Sequence, residues 1–220
     1  LAKLNKELEA VKGDKQKQAE YKSAANVLGA KDWLERGYAL YQSGDKQGAV
    51  DAYTRAIELA PNSVNPYHGR GFIYSERNQY DSAIFDYNTA LTLTPNDAEL
   101  YFKRGVVYDK KGLKDEAIAD YIKAVSINPN HAGAYHNLGA VYAWDGPYER
   151  AIYYLDKAIS LEPDSDKSYT LRAWCYIDID IDKAIKDFNK SIELTPMDEP
   201  SKRSFVYLGR GRAYAKKGDY

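Results

Sequence analysis

The chain repeats itself every 34 residues, and that period limits its fold more than any other feature. AVDAYTRAIELAP stands at 49–61, AIFDYNTALTLTP at 83–95, AIADYIKAVSINP at 117–129 and AIYYLDKAISLEP at 151–163. A fifth copy, AIKDFNKSIELTP at 184–196, arrives one residue early. Gly37, Gly71, Gly105 and Gly139 keep the step, and Ala173 follows them. So do Trp33, Tyr67, Tyr101, Tyr135 and Tyr169, and so do Pro61, Pro95, Pro129 and Pro163. Several columns in one register mean a stack of like units, each burying its apolar face on its neighbours.

Inside a unit the apolar spacing is helical. Trp33, Gly37 and Leu40 fall on one face of a first helix, and Ala49, Tyr53, Ala56 and Ile57 on one face of a second. Gly44–Asp45 breaks the chain between them, and Pro61 stops the second helix. A mid-helix glycine costs about 1 kcal/mol relative to alanine. Four in one register imply a close approach, expected against the small column Ala49, Ala83, Ala117 and Ala151. Much of the excess among the 21 tyrosines falls into two columns, Tyr74, Tyr108, Tyr142, Tyr176 and Tyr214 in one and Tyr53, Tyr87 and Tyr121 in the other. Each buried ring covers roughly 150–250 Å², so both columns are expected to fill the seams between units.

These motifs, W/Y-x3-G-x2-L/Y, a glycine, A-x3-Y/F-x2-A and a closing proline, resemble the tetratricopeptide repeat family over residues 30–220. The resemblance implies an all-α fold, a right-handed superhelical solenoid of antiparallel helix pairs whose first helices line a concave groove. The units fall at about 30–63, 64–97, 98–131, 132–165 and 166–198, with a partial sixth at 204–220.

Residues 1–29 lie outside the period. Leu1, Leu4, Leu8 and Val11 form an apolar stripe, Gly13–Asp14 interrupts it, and a helical stretch runs on to Leu28. The segment reads as an N-terminal cap, with a short coiled-coil seam as the alternative. The linker PMDEPSKRS before the sixth unit is longer than the others and is expected to lengthen that unit's first helix or bend the array. The sixth unit shows no second helix before Tyr220, so continuation of the chain is expected, with a lone capping helix as the alternative.

Arg70, Arg104 and Arg172 precede the small residue of their first helices, and Asp86, Asp120 and Asp187 hold the matching place in the second. The fourth unit loses both, to Leu138 and Tyr154, whereas the first has Arg36 with Ala52. The pattern predicts an ion pair within the unit, worth roughly 0–1 kcal/mol if exposed.

Chemistry-bearing motifs are scarce. Net charge is −1, without the basic face of a nucleic-acid binder. No apolar run reaches the roughly 20 residues of a membrane span. Cys175 stands alone, and His68 and His136 are two units apart. Asp178, Asp180 and Asp182 start like a calcium loop, but Lys183 and Asn189 occupy its glycine and acidic positions, which favours a solvated acidic turn. No catalytic, cofactor or metal site is expected, so the chain reads as a non-enzyme.

By resemblance, the second, fifth, ninth, twelfth and thirteenth positions of each first helix face a ligand. Leu34 and Tyr38 replace the lysine and asparagine of the family's carboxylate clamp, so that activity is not expected. The groove instead carries Tyr38, Tyr41, Phe72, Phe102, Trp144 and Trp174, with His68, Lys110 and His136. Aromatic anchors suit an apolar peptide or an amphipathic helix. The expected function is a scaffold for a protein or peptide partner, with no nucleic acid, no membrane insertion and a soluble location in cytoplasm or periplasm. The alternatives are self-assembly through the ends and a regulatory arm of a larger enzyme or sensor.

Overall fold

The helix boundaries keep the sequence period. The computed structural model describes residues 15–196 and 200–218, and the described residues form helices joined by short turns. First helices are α1 (Lys15–Gln42), α3 (Val64–Glu76), α5 (Ala98–Lys111), α7 (Ala132–Asp145), α9 (Asp166–Tyr176) and α11 (Pro200–Lys217). Second helices are α2 (Lys46–Leu59), α4 (Tyr80–Leu93), α6 (Lys114–Ile127), α8 (Tyr148–Leu161) and α10 (Ile181–Leu194). The early fifth copy appears as the early start of α10, one residue short of the 34-residue step kept by the other second helices. Asp180 caps α10 by accepting a hydrogen bond from the Lys183 N–H at 3.1 Å, as Asp45 caps α2 by accepting from the Gly48 N–H at 2.8 Å. Gly44 and Gly112 leave their helices at φ +90° and +85°, and Asn78 does the same job at +57°.

Two compact units result, Leu1–Gly112 and Leu113–Tyr220. Within each, a helix packs on the next one, and first helices also touch the following first helix. The all-α class and the organisation in helix pairs are those expected. The stripe Leu1, Leu4, Leu8 and Val11 lies outside the described residues, as do residues 197–199 of the long linker. Helix α1 runs unbroken from Lys15 through the start of the first repeat. Helix α11 has 18 residues, about a turn more than α3 or α5, so the linker does lengthen it.

The core is a ladder of small and large residues on the second helices. Ala49, Ala83, Ala117, Ala151 and Ala184 are fully buried, as are Tyr87, Tyr121, Leu155 and Phe188 four residues on, with Tyr53 nearly so. The glycines face this ladder, but not at the alanine side chains. A Cβ on Gly37 would lie 2.6 Å from the Tyr53 ring, and one on Gly139 would lie 2.5 Å from Leu155 Cγ. The alanines contribute carbonyl oxygens to the same contact, Ala83 O at 3.4 Å from a Gly71 Cβ and Ala151 O at 3.3 Å from a Gly139 Cβ. The glycines therefore make room for the large residue one turn further along.

The tyrosine columns divide by role. Tyr53, Tyr87 and Tyr121 are core, whereas Tyr74, Tyr108, Tyr142, Tyr176 and Tyr214 are only half-buried. Several of the half-buried rings sheath arginines instead. Arg172 lies between Tyr169 and Tyr176 at 5.4 and 6.0 Å, and Arg104 between Tyr101 and Tyr108 at 5.4 and 5.6 Å.

The predicted pairs of Arg70 and Arg172 form beside such rings. Arg70 donates from Nε and Nη2 to both Asp86 oxygens at 2.9 and 2.7 Å, and Arg172 does the same to Asp187 at 2.7 and 2.8 Å. Both aspartates are buried, so the pairs are not the exposed kind expected from sequence. Each arginine also reaches back to the preceding second helix, Arg70 to Thr54 at 2.9 Å and Arg172 to Asp156 at 2.6 Å. Arg104 makes that backward bond to Asn88 at 2.6 Å, and belongs to a different unit from Asp120. In the fourth repeat, buried Leu138 replaces the arginine, while Tyr154 stacks on Tyr142 at 5.6 Å.

Candidate partner-binding surfaces

In the first unit, α1 and α3 bring Tyr38, Tyr41, His68 and Phe72 to one open cavity of about 640 Å³. Tyr41 and Phe72 meet edge to face at 5.6 Å and 82°, a favoured aromatic geometry. Tyr38 stands at the rim, 62% exposed. The Tyr53 ring reaches the cavity from α2 because Gly69 offers no side chain there; a Cβ would lie 2.7 Å from Tyr53 Cζ. Glu35, Asn65, Glu99 and Lys103 complete the wall, with Lys103 Nζ 3.0 Å from Glu99. Burial, and then the Lys103 charge, hold the His68 imidazole below its ordinary pKa. Phe102 and Lys110 do not line this cavity. Phe102 lies under Lys103 Nζ at 5.4 Å, and Lys110 is exposed.

In the second unit, Trp144 and Trp174 share a cavity of about 280 Å³. Trp144 is 82% exposed. Trp174 packs at 5.7 Å against Phe188 and at 5.3 Å against Phe205, and Arg212 stands 6.0 Å from its ring. Its indole Nε1 is buried with no hydrogen-bond partner. Tyr148, Leu171 and Cys175 line the same space. Burial pushes the Cys175 thiol up to about 11, which leaves it protonated and unreactive at neutral pH. His136 is elsewhere, its Nδ1 2.8 Å from the buried Ser168 hydroxyl, which also contacts Ser165 at 2.9 Å.

Two departures in the fifth repeat find physical reasons. Ser191, standing where other copies have alanine, is fully buried and bonds the Thr170 hydroxyl at 2.7 Å. The acidic turn is partnered by lysines: Asp178 with Lys216 at 2.6 Å, Asp180 with Lys183 at 3.1 Å and Asp182 with Lys217 at 3.1 Å. Among the described residues no group of three or more His, Cys, Asp or Glu side chains could hold a metal ion. None of the described helices is long and apolar enough to cross a membrane.

The sequence reading missed Tyr53, Lys103, Phe205 and Arg212. Tyr53 comes from a second helix, Phe205 and Arg212 come from α11, and Lys103 stands one residue past the ligand-facing Phe102 on α5. The size of the Tyr53 column was the available signal.

Models of the tetratricopeptide repeat match residues 37–76, 73–112, 98–131 and 131–161. The chain belongs to the tetratricopeptide repeat family. Solved TPR structures share its fold. A crystal structure of MamA is 28% identical, with a TM-score of 0.67 over 76% of this chain and 96% of that one. YrrB, described as a TPR protein with an unusual peptide-binding site, is 19% identical, with a TM-score of 0.67 over 94% and 97%. A tetratricopeptide repeat protein from Parabacteroides merdae is 22% identical, with a TM-score of 0.73 over 87% and 75%. Comparison with curated protein sequences gave no match.

Proposed function

We propose that this TPR chain is a non-catalytic scaffold that binds a peptide or helix of a partner protein through aromatic anchors. Tyr38, Tyr41 and Phe72 serve in the first unit, and Trp144 and Trp174 in the second. The carrying observation is the exposure of Tyr38 and Trp144 beside cavities walled by further aromatic rings. Such half-formed aromatic pockets suit an apolar side chain from a partner, and aromatic residues dominate binding hot spots. The family, and a fold neighbour described as peptide-binding, support the same reading. The non-catalytic part is supported by the state of two side chains of nucleophilic type. Ser168 is buried against His136, and the Cys175 thiol is buried and protonated.

The test is affinity capture from the source organism with the intact chain and with a Tyr38→Ala/Trp144→Ala variant. Both side chains are exposed, so the variant should melt like the parent. Losing one hot spot costs about 2 kcal/mol or more, roughly 30-fold in affinity. A partner captured by the parent and lost by the variant supports the scaffold reading. Equal capture by both, or capture only of copies of the chain, rules the anchors out.

Self-assembly is a second reading with its own observation. Val27 and Leu28 of α1 are exposed beside an apolar cavity lined by Ala30, Leu34 and Leu59. A Val27→Glu/Leu28→Glu variant should then lower the mass seen by light scattering, and an unchanged monomeric mass in the parent removes this reading.

A further inference from the structure

The aromatic cavity of the first unit has one polar group that its own repeat leaves unserved. Tyr53 of α2 is 4% exposed and lines the cavity. Among the described residues its hydroxyl meets no hydrogen-bond partner. The other repeats show what is missing. Sixteen residues after Tyr121 stands Asn137, whose Nδ2 donates to the Tyr121 hydroxyl at 3.2 Å. Sixteen residues after Tyr87 stands Lys103, another donor by type. Sixteen residues after Tyr53 stands Gly69, which brings no side chain at all. A Cβ at Gly69 would lie 3.1 Å from the Tyr53 hydroxyl oxygen, so the space left by the glycine adjoins that oxygen. Glycine is a poor choice inside a helix, and room for an incoming donor gives it a reason.

Charge narrows what that donor can be. Apart from His68, the ionisable acids and bases lining the cavity are Glu35, Glu99 and Lys103. Lys103 Nζ stands 3.0 Å from Glu99. Glu35 faces Lys31 at 3.8 Å, and its side chain is 67% exposed. Two carboxylates against one ammonium repel an acidic ligand. A purely apolar side chain would cover the Tyr53 hydroxyl and leave it without a bond, which costs free energy. A basic side chain meets each condition. Its aliphatic stem lies on the rings of Tyr38, Tyr41 and Phe72, its cation is drawn to their faces, and its N–H groups reach oxygen acceptors.

We propose that the first-unit cavity holds an arginine or lysine side chain of a partner segment, with the Tyr53 hydroxyl accepting one of its N–H bonds and Glu35 balancing its charge. This inference rests on the scaffold reading above and names what one of its anchor points takes.

The test is an NMR titration of the whole nitrogen-labelled chain, read at the Gly69 amide. The probes are N-acetyl-arginine amide, its uncharged analogue N-acetyl-citrulline amide, and N-acetyl-leucine amide, at matched ionic strength. The arginine probe should give a saturable shift, and the citrulline probe should bind about threefold more weakly or worse. Tyr53→Phe should weaken the arginine probe about two- to tenfold. That variant should fold, because Phe188 holds the same place, fully buried, in the fifth repeat. Glu35→Gln, at an exposed site, should weaken it too, whereas Trp144→Ala in the second unit should leave it unchanged. No saturable shift with the arginine probe, equal binding of the citrulline probe, or indifference to both Tyr53→Phe and Glu35→Gln overturns the proposal. So does tighter binding of the leucine probe, which would make the anchor apolar and leave the scaffold reading standing. Failure of the scaffold reading is seen separately, in the capture by the Tyr38→Ala/Trp144→Ala variant.

Discussion

An arginine gripped by an aspartate means one thing at a surface and another inside a sheath of tyrosines. Asp86 is fully buried, so truncating it strands the Arg70 charge, and such losses cost about 3–5 kcal/mol. Asp86→Ala should therefore lower the unfolding free energy by about that amount in urea. The double change Arg70→Leu/Asp86→Tyr, which copies Leu138 and Tyr154 of the fourth repeat, should cost less than Asp86→Ala alone. The pairing itself was legible in the sequence, because the fourth repeat lacks both members together. Its burial was not, since that depends on rings such as Tyr169 and Tyr176 closing over Arg172. The histidines give a second residue-scale expectation. Burial first, then Lys103 for His68 and Lys167 for His136, hold both imidazoles below their ordinary pKa. Below about pH 6.5 the unfolded chain then binds more protons than the folded one, so acidification through that range destabilises the fold. A His68→Gln/His136→Gln variant should show a flatter dependence of stability on pH between about 5 and 7; an unchanged slope would mean that other groups carry it.

Glycine has opposite meanings in two helices of this chain. At Gly139 a Cβ would sit 2.5 Å from Leu155 Cγ, and that branch point is held in a full core. Gly139→Ala should destabilise by about 1–3 kcal/mol through overpacking, despite the gain in helix propensity. At Gly211 nothing lies within 4 Å, so Gly211→Ala should stabilise the isolated chain by up to about 1 kcal/mol. Thermal melts of the two variants should move in opposite directions. A fall at Gly211 would mean that its face is already covered. The element boundaries were legible because 34-residue columns place every turn, and even the early start of α10 follows from the early Ala184. The cavities were less so. Tyr41, Phe72 and Trp144 reach them as the first-helix positions imply, but Tyr53 and Phe205 come from other helices, and no single-helix pattern places them.

A chain assembled from neighbours packing on neighbours should also come apart that way. Within the second unit, Arg172 of α9 ties α8 through Asp156 and α10 through Asp187. Burial works against its charge, but the hydrogen bonds to Asp187 and Asp156 outweigh it, and the guanidinium pKa ends above its ordinary value. Arg172→Ala removes three helices' common tie and leaves Asp187 buried without its cation, a loss of about 3 kcal/mol, or roughly a hundredfold in the opening equilibrium. In a repeat array that loss stays local, because stability is close to a sum of unit and nearest-neighbour terms. Amides in the middle of α9 and α10 should thus exchange up to about a hundredfold faster. Those of α6, in the same unit but two helices short of α8, should change much less. Hydrogen exchange read by mass spectrometry decides the matter. Equal acceleration from α6 through α11 would show that the second unit opens as one body, and the nearest-neighbour account of its stability would have to be given up.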